Sequence, residues 1–125
     1  MKTILIADDE AHLRLLVRRT LSEDDYEIVE AADGDEALDR VRKTRPDLVI
    51  LDWMMPKRTG LDVLEAIREE PELTATPVVM LTARSQKVDR NAAVRLGIRG
   101  YLVKPFSPLE LIGMVEGILF GSDRG

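Results

Sequence analysis

The segment that decides the fold is Asp47-Leu48-Val49-Ile50-Leu51, which is followed at once by Asp52. Its consecutive large apolar residues show no polar alternation, which predicts a strand buried on both faces. Comparable apolar runs lie at 3–7 and 77–81, an alternating one at 26–31 and a short one at 100–103. Because a sheet buried on both faces needs helices on each, the pattern predicts a parallel α/β sheet.

A helix is predicted after each of these strands from apolar residues at helical spacing. The predicted helices are 11–21, 34–41, 61–69, 88–96 and 108–119. Pro108 suits a first helical turn, where its missing N–H costs no hydrogen bond, and Ser107 precedes it as a cap. Five strand–helix units without a repeat or a long linker predict one domain over 1–120. Residues 121–125 have the composition of a tail or of the start of a linker.

The composition restricts the function of the chain. It has 125 residues, a formal net charge of −5, one His and no Cys. Without cysteine there are no disulfides and no thiolate metal sites. We do not expect an acidic domain of this size to bind nucleic acid, because neutralising phosphates needs clustered Lys and Arg. No apolar run is long enough to cross a bilayer or to serve as a signal peptide, so we expect a cytoplasmic domain without a membrane contact.

Polar residues stand at the ends of four of the five predicted strands. They are Asp8-Asp9-Glu10, Asp52, Thr82 and Lys104. Taken alone, each has an ordinary structural interpretation: Asp8-Asp9 as a helix cap, Asp52 and Thr82 as turn residues, and Lys104 as a solvated side chain. The carboxyl ends of parallel strands meet at one edge of the sheet, where folds of this class bind ligands. Their shared position therefore favours a functional site.

The chemistry of this set points to a phosphoryl group. Several carboxylates brought together repel one another, and a hard divalent cation relieves that repulsion. We expect Mg²⁺ in this role, with Mn²⁺ able to replace it. The ammonium of Lys104 and a divalent cation together match the charge of a phosphoryl group, and a carboxylate such as Asp52 can be its covalent acceptor.

Four sequence blocks resemble the signature blocks of the response regulator receiver domains of two-component signalling systems. The blocks are Ile4-Leu5-Ile6-Ala7-Asp8-Asp9-Glu10, Leu51-Asp52-Trp53-Met54-Met55-Pro56 with Gly60, Leu81-Thr82-Ala83, and Tyr101-Leu102-Val103-Lys104-Pro105-Phe106. They follow the order and spacing of that family over nearly the whole chain. The resemblance implies a flavodoxin-like (βα)5 domain with strand order 2-1-3-4-5, which acts as a signalling switch and not as a metabolic enzyme.

The resemblance also implies a role for each polar residue at the sheet edge. Asp52 is implied as the phosphoacceptor, with Asp8, Asp9, Asp52 and the backbone carbonyl of Met54 as metal ligands. Lys104 would pair with the phosphoryl group. The phosphodonor would be a sensor histidine kinase or a phosphotransfer protein. The domain would assist its own phosphorylation and dephosphorylation.

The switch implied by the resemblance involves Thr82 and Tyr101. The Thr82 hydroxyl would bind a phosphoryl oxygen, and the Tyr101 ring would then turn inward. This remodels the surface of the fourth helix, fifth strand and fifth helix, which would contact an output domain, a downstream protein or, in a phosphorylation-dependent homodimer, a second copy. An acidic pair that many dimerising relatives carry before the aromatic residue is replaced by Ile98-Arg99-Gly100. The last helix has apolar residues that serve either the core or a different partner: Ile112, Val115, Leu119 and Phe120.

Residues beside the site have simpler interpretations. Trp53 is expected to be partly exposed in a loop, and Met54-Met55 to pack against the core and not to bind a ligand through sulfur. His12 is expected to be a surface histidine near the start of a helix. The resemblance implies a cis peptide bond between Lys104 and Pro105.

Two other functions fit parts of the pattern. A Mg²⁺-dependent phosphatase of the haloacid dehalogenase type also uses Asp, Thr or Ser, and Lys. It needs an acid two residues after its nucleophile, where this chain has Met54, and a cap insertion that the chain lacks. A flavodoxin-like binding module needs a phosphate loop of Ser, Thr and Gly after the first strand, where Asp8-Asp9-Glu10 would repel a phosphate.

Overall fold

The computed structural model describes residues 1–22, 26–85 and 87–121. In these residues strands alternate with helices along the whole chain. The order is β1 Lys2–Ala7, α1 Ala11–Thr20, β2 Tyr26–Ala31, α2 Gly34–Thr44, β3 Leu48–Asp52, α3 Gly60–Glu69, β4 Val78–Ala83, α4 Arg90–Arg95, β5 Gly100–Lys104 and α5 Pro108–Phe120. Each strand and each helix predicted from the apolar pattern is confirmed.

The strands form one parallel sheet in the order β2-β1-β3-β4-β5. The predicted flavodoxin-like topology is therefore confirmed. The register pairs Ala7 with Leu51, Asp52 with Leu81, and Ala83 with Lys104. The carboxyl ends of β1, β3, β4 and β5 consequently finish at the same edge of the sheet.

Two apolar cores lie on opposite faces of the sheet, which explains why the central strands lack polar alternation. All five residues of β3 are buried. Leu5, Val49 and Leu51 pack toward α2 and α3, whereas Ile4 and Ile50 pack toward α1 and α5. Consecutive strand residues point to alternate faces, so both sets of positions must be apolar.

Two helices differ in length from the prediction. α2 continues to Thr44, beyond the last apolar position, with the Lys43–Asp39 ion pair on its solvated last turn, and ends where Arg45 adopts a left-handed conformation. α4 covers Arg90–Arg95 and not 88–96, because Asp89 is its cap and accepts a hydrogen bond from the Ala92 N–H. Apolar spacing alone could not locate either boundary.

The apolar face of α5 mainly completes the core. Leu111 and Val115 are buried, and Ile112 and Leu119 pack against them at the edge of that cluster. Phe120 is 54% exposed and stacks on Tyr26 with the ring centroids 6.3 Å apart. Ser107 accepts a hydrogen bond from the Glu110 N–H, so the predicted cap is confirmed. Over the described part of the chain, no helix has the length and apolar character needed to span a membrane.

Candidate functional site

The polar residues expected at the sheet edge do come together there. Asp52, Thr82 and Lys104 lie within the last two residues of β3, β4 and β5, and Asp8 directly follows β1. Asp8 remains tied to the sheet because its N–H donates to the carbonyl of Ala31 on β2. The strand register thus places side chains far apart in sequence around one small region.

Three carboxylates form the acidic part of the site. Oxygen atoms of Asp8, Asp9 and Asp52 lie within 4.8 Å of one another. Asp8 and Asp52 are buried, with 0% and 2% exposure, whereas Asp9 is exposed. The guanidinium of Arg14 on α1 donates to the Asp8 carbonyl at 2.6 Å, and the Glu10 N–H donates to Asp8 Oδ1 at 2.9 Å. These bonds fix the acidic loop between β1 and α1.

Lys104 supplies the positive charge of the site. Its Nζ donates to Asp8 Oδ2 at 2.8 Å and lies 3.4 Å from Asp52 Oδ1 and 3.6 Å from Glu10 Oε1. Burial alone lowers the pKa of Lys104, but its hydrogen bond to Asp8 and the nearby carboxylate charges outweigh that effect and leave the pKa raised. Lys104 therefore stays protonated. Glu10 was not assigned a role from the sequence, although it directly follows the acidic pair.

The Asp52 carboxyl group is buried at a strand end and has a raised pKa. Burial, followed by repulsion from Asp8, raises its pKa from 3.8 to about 6. Burial also raises the pKa of Asp8, against the effect of Lys104. Asp52 Oδ1 is buried and has no hydrogen-bond partner among the described residues. The nearest positive charge to this oxygen is the Lys104 ammonium, an ion-pair contact at 3.4 Å, and two further carboxylates lie beside it, so a divalent cation with oxygen ligands would stabilise the arrangement.

Two glycines allow close backbone contacts with the loop between β3 and α3. The Gly60 N–H donates to the Trp53 carbonyl at 2.7 Å, and a Cβ on Gly60 would lie 2.3 Å from the Asp52 carbonyl oxygen. Gly34, the first residue of α2, donates from its N–H to the Pro56 carbonyl, and its Cβ would lie 2.3 Å from the Arg58 carbonyl oxygen. Gly60 belongs to one of the signature blocks of the sequence. Nothing in the sequence indicates that Gly34 supports this loop.

The expectation that Trp53 is partly exposed is wrong, because it is only 5% exposed. Its N–H donates to the Leu81 carbonyl and continues the ladder one residue beyond β3, and its side chain packs on the same face as Leu51. The prediction that Met54-Met55 packs holds for Met55, which is buried, and fails for Met54, which is 46% exposed.

The two residues expected to form the switch lie on neighbouring strands. The Thr82 hydroxyl donates to the Ala83 carbonyl at 3.2 Å. The Tyr101 ring is half-buried, and its hydroxyl oxygen is buried without a hydrogen-bond partner in the described residues. The guanidinium carbon of Arg90 on α4 lies 4.4 Å from the centroid of the Tyr101 ring. The Lys104–Pro105 bond is cis, and His12 lies on the surface with a side chain 84% exposed.

A family model described as the response regulator receiver domain matches residues 4–116. The chain belongs to this receiver domain family. The receiver domain is 42% identical over 121 residues to the "Probable transcriptional regulator ycf27" of Porphyridium aerugineum, with 97% of this chain and 49% of the relative covered. It is 42% identical over 116 residues to the "Transcriptional regulatory protein ResD" of Bacillus subtilis (strain 168), with 93% and 47% covered. The chain thus spans about half the length of the curated relatives it matches.

Solved receiver structures have the same fold as this domain. The chemotaxis protein CheY4 of Vibrio cholerae has a TM-score of 0.86 and 36% identity, over 95% of this chain and 99% of that one. A putative response regulator from Chloroflexus aurantiacus J-10-fl has a TM-score of 0.87 and 34% identity, over 95% and 98%. The receiver domain is a two-component signalling domain, and nothing in these comparisons supports the haloacid dehalogenase alternative. Receiver domains bind Mg²⁺ at an acidic pocket, and Asp8, Asp9 and Asp52 form a cluster that can hold a metal ion.

Proposed function

We propose that Asp52 accepts a phosphoryl group from a phosphohistidine and that its phosphorylation switches the surface of α4, β5 and α5. The observation that carries this proposal is the placement of Asp52 itself. It is a buried carboxylate between a paired lysine and two further acids, with one oxygen that has no hydrogen-bond partner in the described residues. A carboxylate can attack phosphorus while the bond from phosphorus to the imidazole nitrogen breaks, which leaves an aspartyl phosphate and a free histidine.

We assign the metal site to the carboxylates of Asp8, Asp9 and Asp52 and to the backbone carbonyl of Met54. Bound Mg²⁺, or Mn²⁺ in its place, would neutralise negative charge on the phosphoryl oxygens and orient them toward the nucleophile. The hydrogen bonds from Arg14 and from the Glu10 N–H to Asp8 support this assignment, since they hold the acidic loop in place. Asp9 is the exposed member of the set, so it can exchange water for a metal ion at little cost in desolvation.

Lys104 is proposed to bind the phosphoryl group once it is on Asp52. Its Nζ already lies between Asp8 and Asp52, at 2.8 and 3.4 Å from their oxygens. An incoming divalent cation would compete for these carboxylates and release the ammonium toward the phosphoryl oxygens. The same constellation would let the domain contribute to hydrolysis of its own phosphate, which limits the lifetime of the signal.

Thr82 and Tyr101 are proposed to transmit the change. A phosphoryl oxygen on Asp52 would attract the Thr82 hydroxyl, and the space vacated by Thr82 would admit the Tyr101 ring. The buried Tyr101 hydroxyl, which has no hydrogen-bond partner within residues 1–22, 26–85 and 87–121, supports a movable ring, because an unsatisfied buried hydroxyl costs about 1–3 kcal/mol. Two arrangements of similar energy are what a switch requires.

We place the receiver domain at 1–120 and a tail or the start of a linker at 121–125. The proposed donor is a sensor histidine kinase or a phosphotransfer protein, which puts the domain in the cytoplasm. Because curated relatives about twice as long are named transcriptional regulators, we propose an output domain or a downstream protein as the recipient of the signal. The net charge of −5 supports an output in which this domain does not itself bind nucleic acid.

The test is incubation of the intact chain with acetyl phosphate and Mg²⁺, followed by intact mass measurement. A single phosphate adduct is expected for the wild type and for Asp39→Asn, a matched change at an exposed carboxylate on α2. The adduct should be missing in Asp52→Asn. If Asp52→Asn still takes up one phosphate, or if the wild type hydrolyses a phosphate monoester with turnover and forms no adduct, the assignment is wrong.

A further inference from the structure

We propose that exposed cations on and beside α4 form a docking surface for an acidic polypeptide, and that phosphorylation changes its affinity. We call this the α4 basic surface, and it consists of Arg84, Lys87, Arg90, Arg95 and Arg99, all of them exposed. The chain around it is acidic, with a net charge of −5. The proposal rests on the switch function described above, and it names the chemical class of the partner.

The α4 basic surface differs from the rest of the protein in how its charges are compensated. Elsewhere in the described residues most exposed cations are matched with acids, as in Arg42–Glu70 and Arg58–Asp35, both at 2.7 Å, whereas Lys2 and Arg19 stand as isolated exceptions. In the described residues, no cation of the α4 basic surface forms an ion pair. Asp89 is the only acid between residues 84 and 99, and its carboxylate is occupied as the cap of α4. The positive charge of this face is therefore open to an external partner.

A groove at the end of α4 extends this surface. It has a volume of about 400 Å³ and is lined by Arg68, Arg95 and Arg99 together with residues of the segment before β4. Arg68 donates to the carbonyls of Thr76 and Leu96 at 2.8 and 2.6 Å, so its position is fixed. Its charge is balanced by carbonyl dipoles and by no carboxylate of the described chain. A groove with three guanidinium groups suits a carboxylate side chain that enters from a partner.

Contact between Arg90 and Tyr101 connects the α4 basic surface to the switch. The guanidinium carbon of Arg90 lies 4.4 Å from the ring centroid, a distance at which the ring attracts the cation. An inward movement of Tyr101 would remove this support and reposition Arg90. Val94, one helical turn beyond Arg90 on the same side of α4, is 61% exposed and offers an apolar contact. Phosphorylation of Asp52 would thus change both charge position and shape at the docking surface.

Charge complementarity favours an acidic polypeptide over two other occupants. A two-fold contact between copies centred on the α4 basic surface would set like charges opposite one another. A nucleic acid duplex presents a continuous row of phosphates, and five cations on a domain of net charge −5 would neutralise few of them. A polypeptide can combine carboxylates for the arginines with an apolar side chain for Val94.

The experiment measures fluorescence anisotropy of two labelled peptides at about 0.15 M salt, where exposed charges are screened beyond about 8 Å. Both peptides have the same length and leucine content, and one carries Glu where the other carries Lys. Only the Glu peptide should bind. Arg95→Gln with Arg99→Gln should weaken that binding about tenfold. The control variant Lys2→Gln with Arg19→Gln removes two positive charges outside the α4 basic surface. Its affinity for the Glu peptide should differ from that of the wild type by less than about twofold.

Treatment with acetyl phosphate and Mg²⁺ tests the coupling, with intact mass measured in parallel. The affinity for the Glu peptide should change at least about fivefold on phosphorylation, and Asp52→Asn should show no change. An adduct with unchanged peptide affinity would overturn this inference and leave the proposed function standing. Binding that depends on Arg95 and Arg99 in a protein that forms no adduct would support the docking surface and overturn the proposed function.

Three further results would overturn the docking surface. One is equal weakening of Glu peptide binding in the two double variants, or no binding at all. Another is that a random-sequence DNA duplex binds more tightly than the Glu peptide, and that this DNA binding is lost when Arg95 and Arg99 are neutralised. The third is a phosphorylated dimer in sedimentation that the same two substitutions dissociate, which would assign the surface to a second copy.

Discussion

The ammonium of Lys104 donates a 2.8 Å hydrogen bond to Asp8, although the two residues belong to strands that are not neighbours in the sheet. β3 and β4 lie between β1 and β5, so the strands are separated by three spacings, about 14 Å in all. The long lysine side chain crosses the carboxyl edge of the sheet to reach the acid. This bond pairs the buried Asp8 carboxylate with a cation from the far edge of the site.

Replacement of Lys104 by Ala is expected to destabilise the metal-free protein by about 2–3 kcal/mol, because it leaves Asp8 and Asp52 buried without their cation. Urea unfolding in the presence of a chelator measures this change. Added Mg²⁺ should restore much of the loss, since it supplies the missing positive charge. Lys87→Ala, a matched change at an exposed lysine, should have little effect on stability. Equal stability of Lys104→Ala and wild type would contradict the role of the ion pair.

Asp52→Asn is expected to stabilise the metal-free protein at pH 7. The pKa of Asp52 is raised to about 6 from 3.8, and a shift of this size corresponds to at most about 3 kcal/mol. At pH 7 the folded wild type carries a buried charge that the variant lacks. As the pH falls through about 6, folded Asp52 takes up a proton and the advantage of the variant shrinks, until it is lost near pH 4.

The measurement for Asp52→Asn is urea unfolding of both proteins at several pH values between 4 and 7 in a chelator. Glu65→Gln, which neutralises an exposed acid on α3, serves as the control for the removal of one negative charge. A stability difference that grows as the pH is lowered would show that burial does not raise the pKa of Asp52.

The strand ends were the part of the structure that the sequence predicted best. Leu48 to Leu51 are buried on both faces, so their apolar run identified a central strand, and Asp52 at its end could be placed at the sheet edge. Lys104 and Thr82 followed by the same argument, because the carboxyl ends of parallel strands coincide. The apolar pattern predicted a parallel sheet, and the resemblance to the receiver family supplied the strand order 2-1-3-4-5, which the structure has.

Contacts between distant loops could not be predicted in this way. Trp53 is buried because its backbone N–H donates to the Leu81 carbonyl and so extends the strand pairing one residue beyond β3. The apolar pattern of the sequence does not indicate this hydrogen bond. Gly34 supports the loop after β3 through a backbone contact that depends on how α2 approaches it. α2 ends at Thr44 because Arg45 adopts a left-handed conformation and its N–H donates to the Val41 carbonyl, a change of backbone that apolar spacing does not indicate.

Asp9→Ala is expected to weaken Mg²⁺ binding at least about tenfold, because Asp9 is the exposed carboxylate of the proposed metal site. Trp53 is the only tryptophan of the chain and directly follows Asp52, so its fluorescence can be titrated with Mg²⁺. Glu10→Gln, one residue further on, leaves all proposed ligands in place and should titrate almost as the wild type does. An unchanged titration for Asp9→Ala would remove Asp9 from the metal site.

Gly34→Ala is expected to weaken Mg²⁺ binding although residue 34 is not a proposed ligand. The new Cβ would lie 2.3 Å from the Arg58 carbonyl oxygen, so the loop after β3 must move and carry the Met54 carbonyl with it. We expect a loss of about 1–3 kcal/mol in stability and a several-fold higher Kd for Mg²⁺ in the Trp53 titration. Gly113→Ala on α5 is the matched control, because the new Cβ would meet no atom within 4 Å. This substitution should stabilise the helix by up to about 1 kcal/mol. If Gly34→Ala lowers stability and leaves the Mg²⁺ affinity unchanged, the contact with Arg58 supports the fold alone and does not position the loop for metal binding.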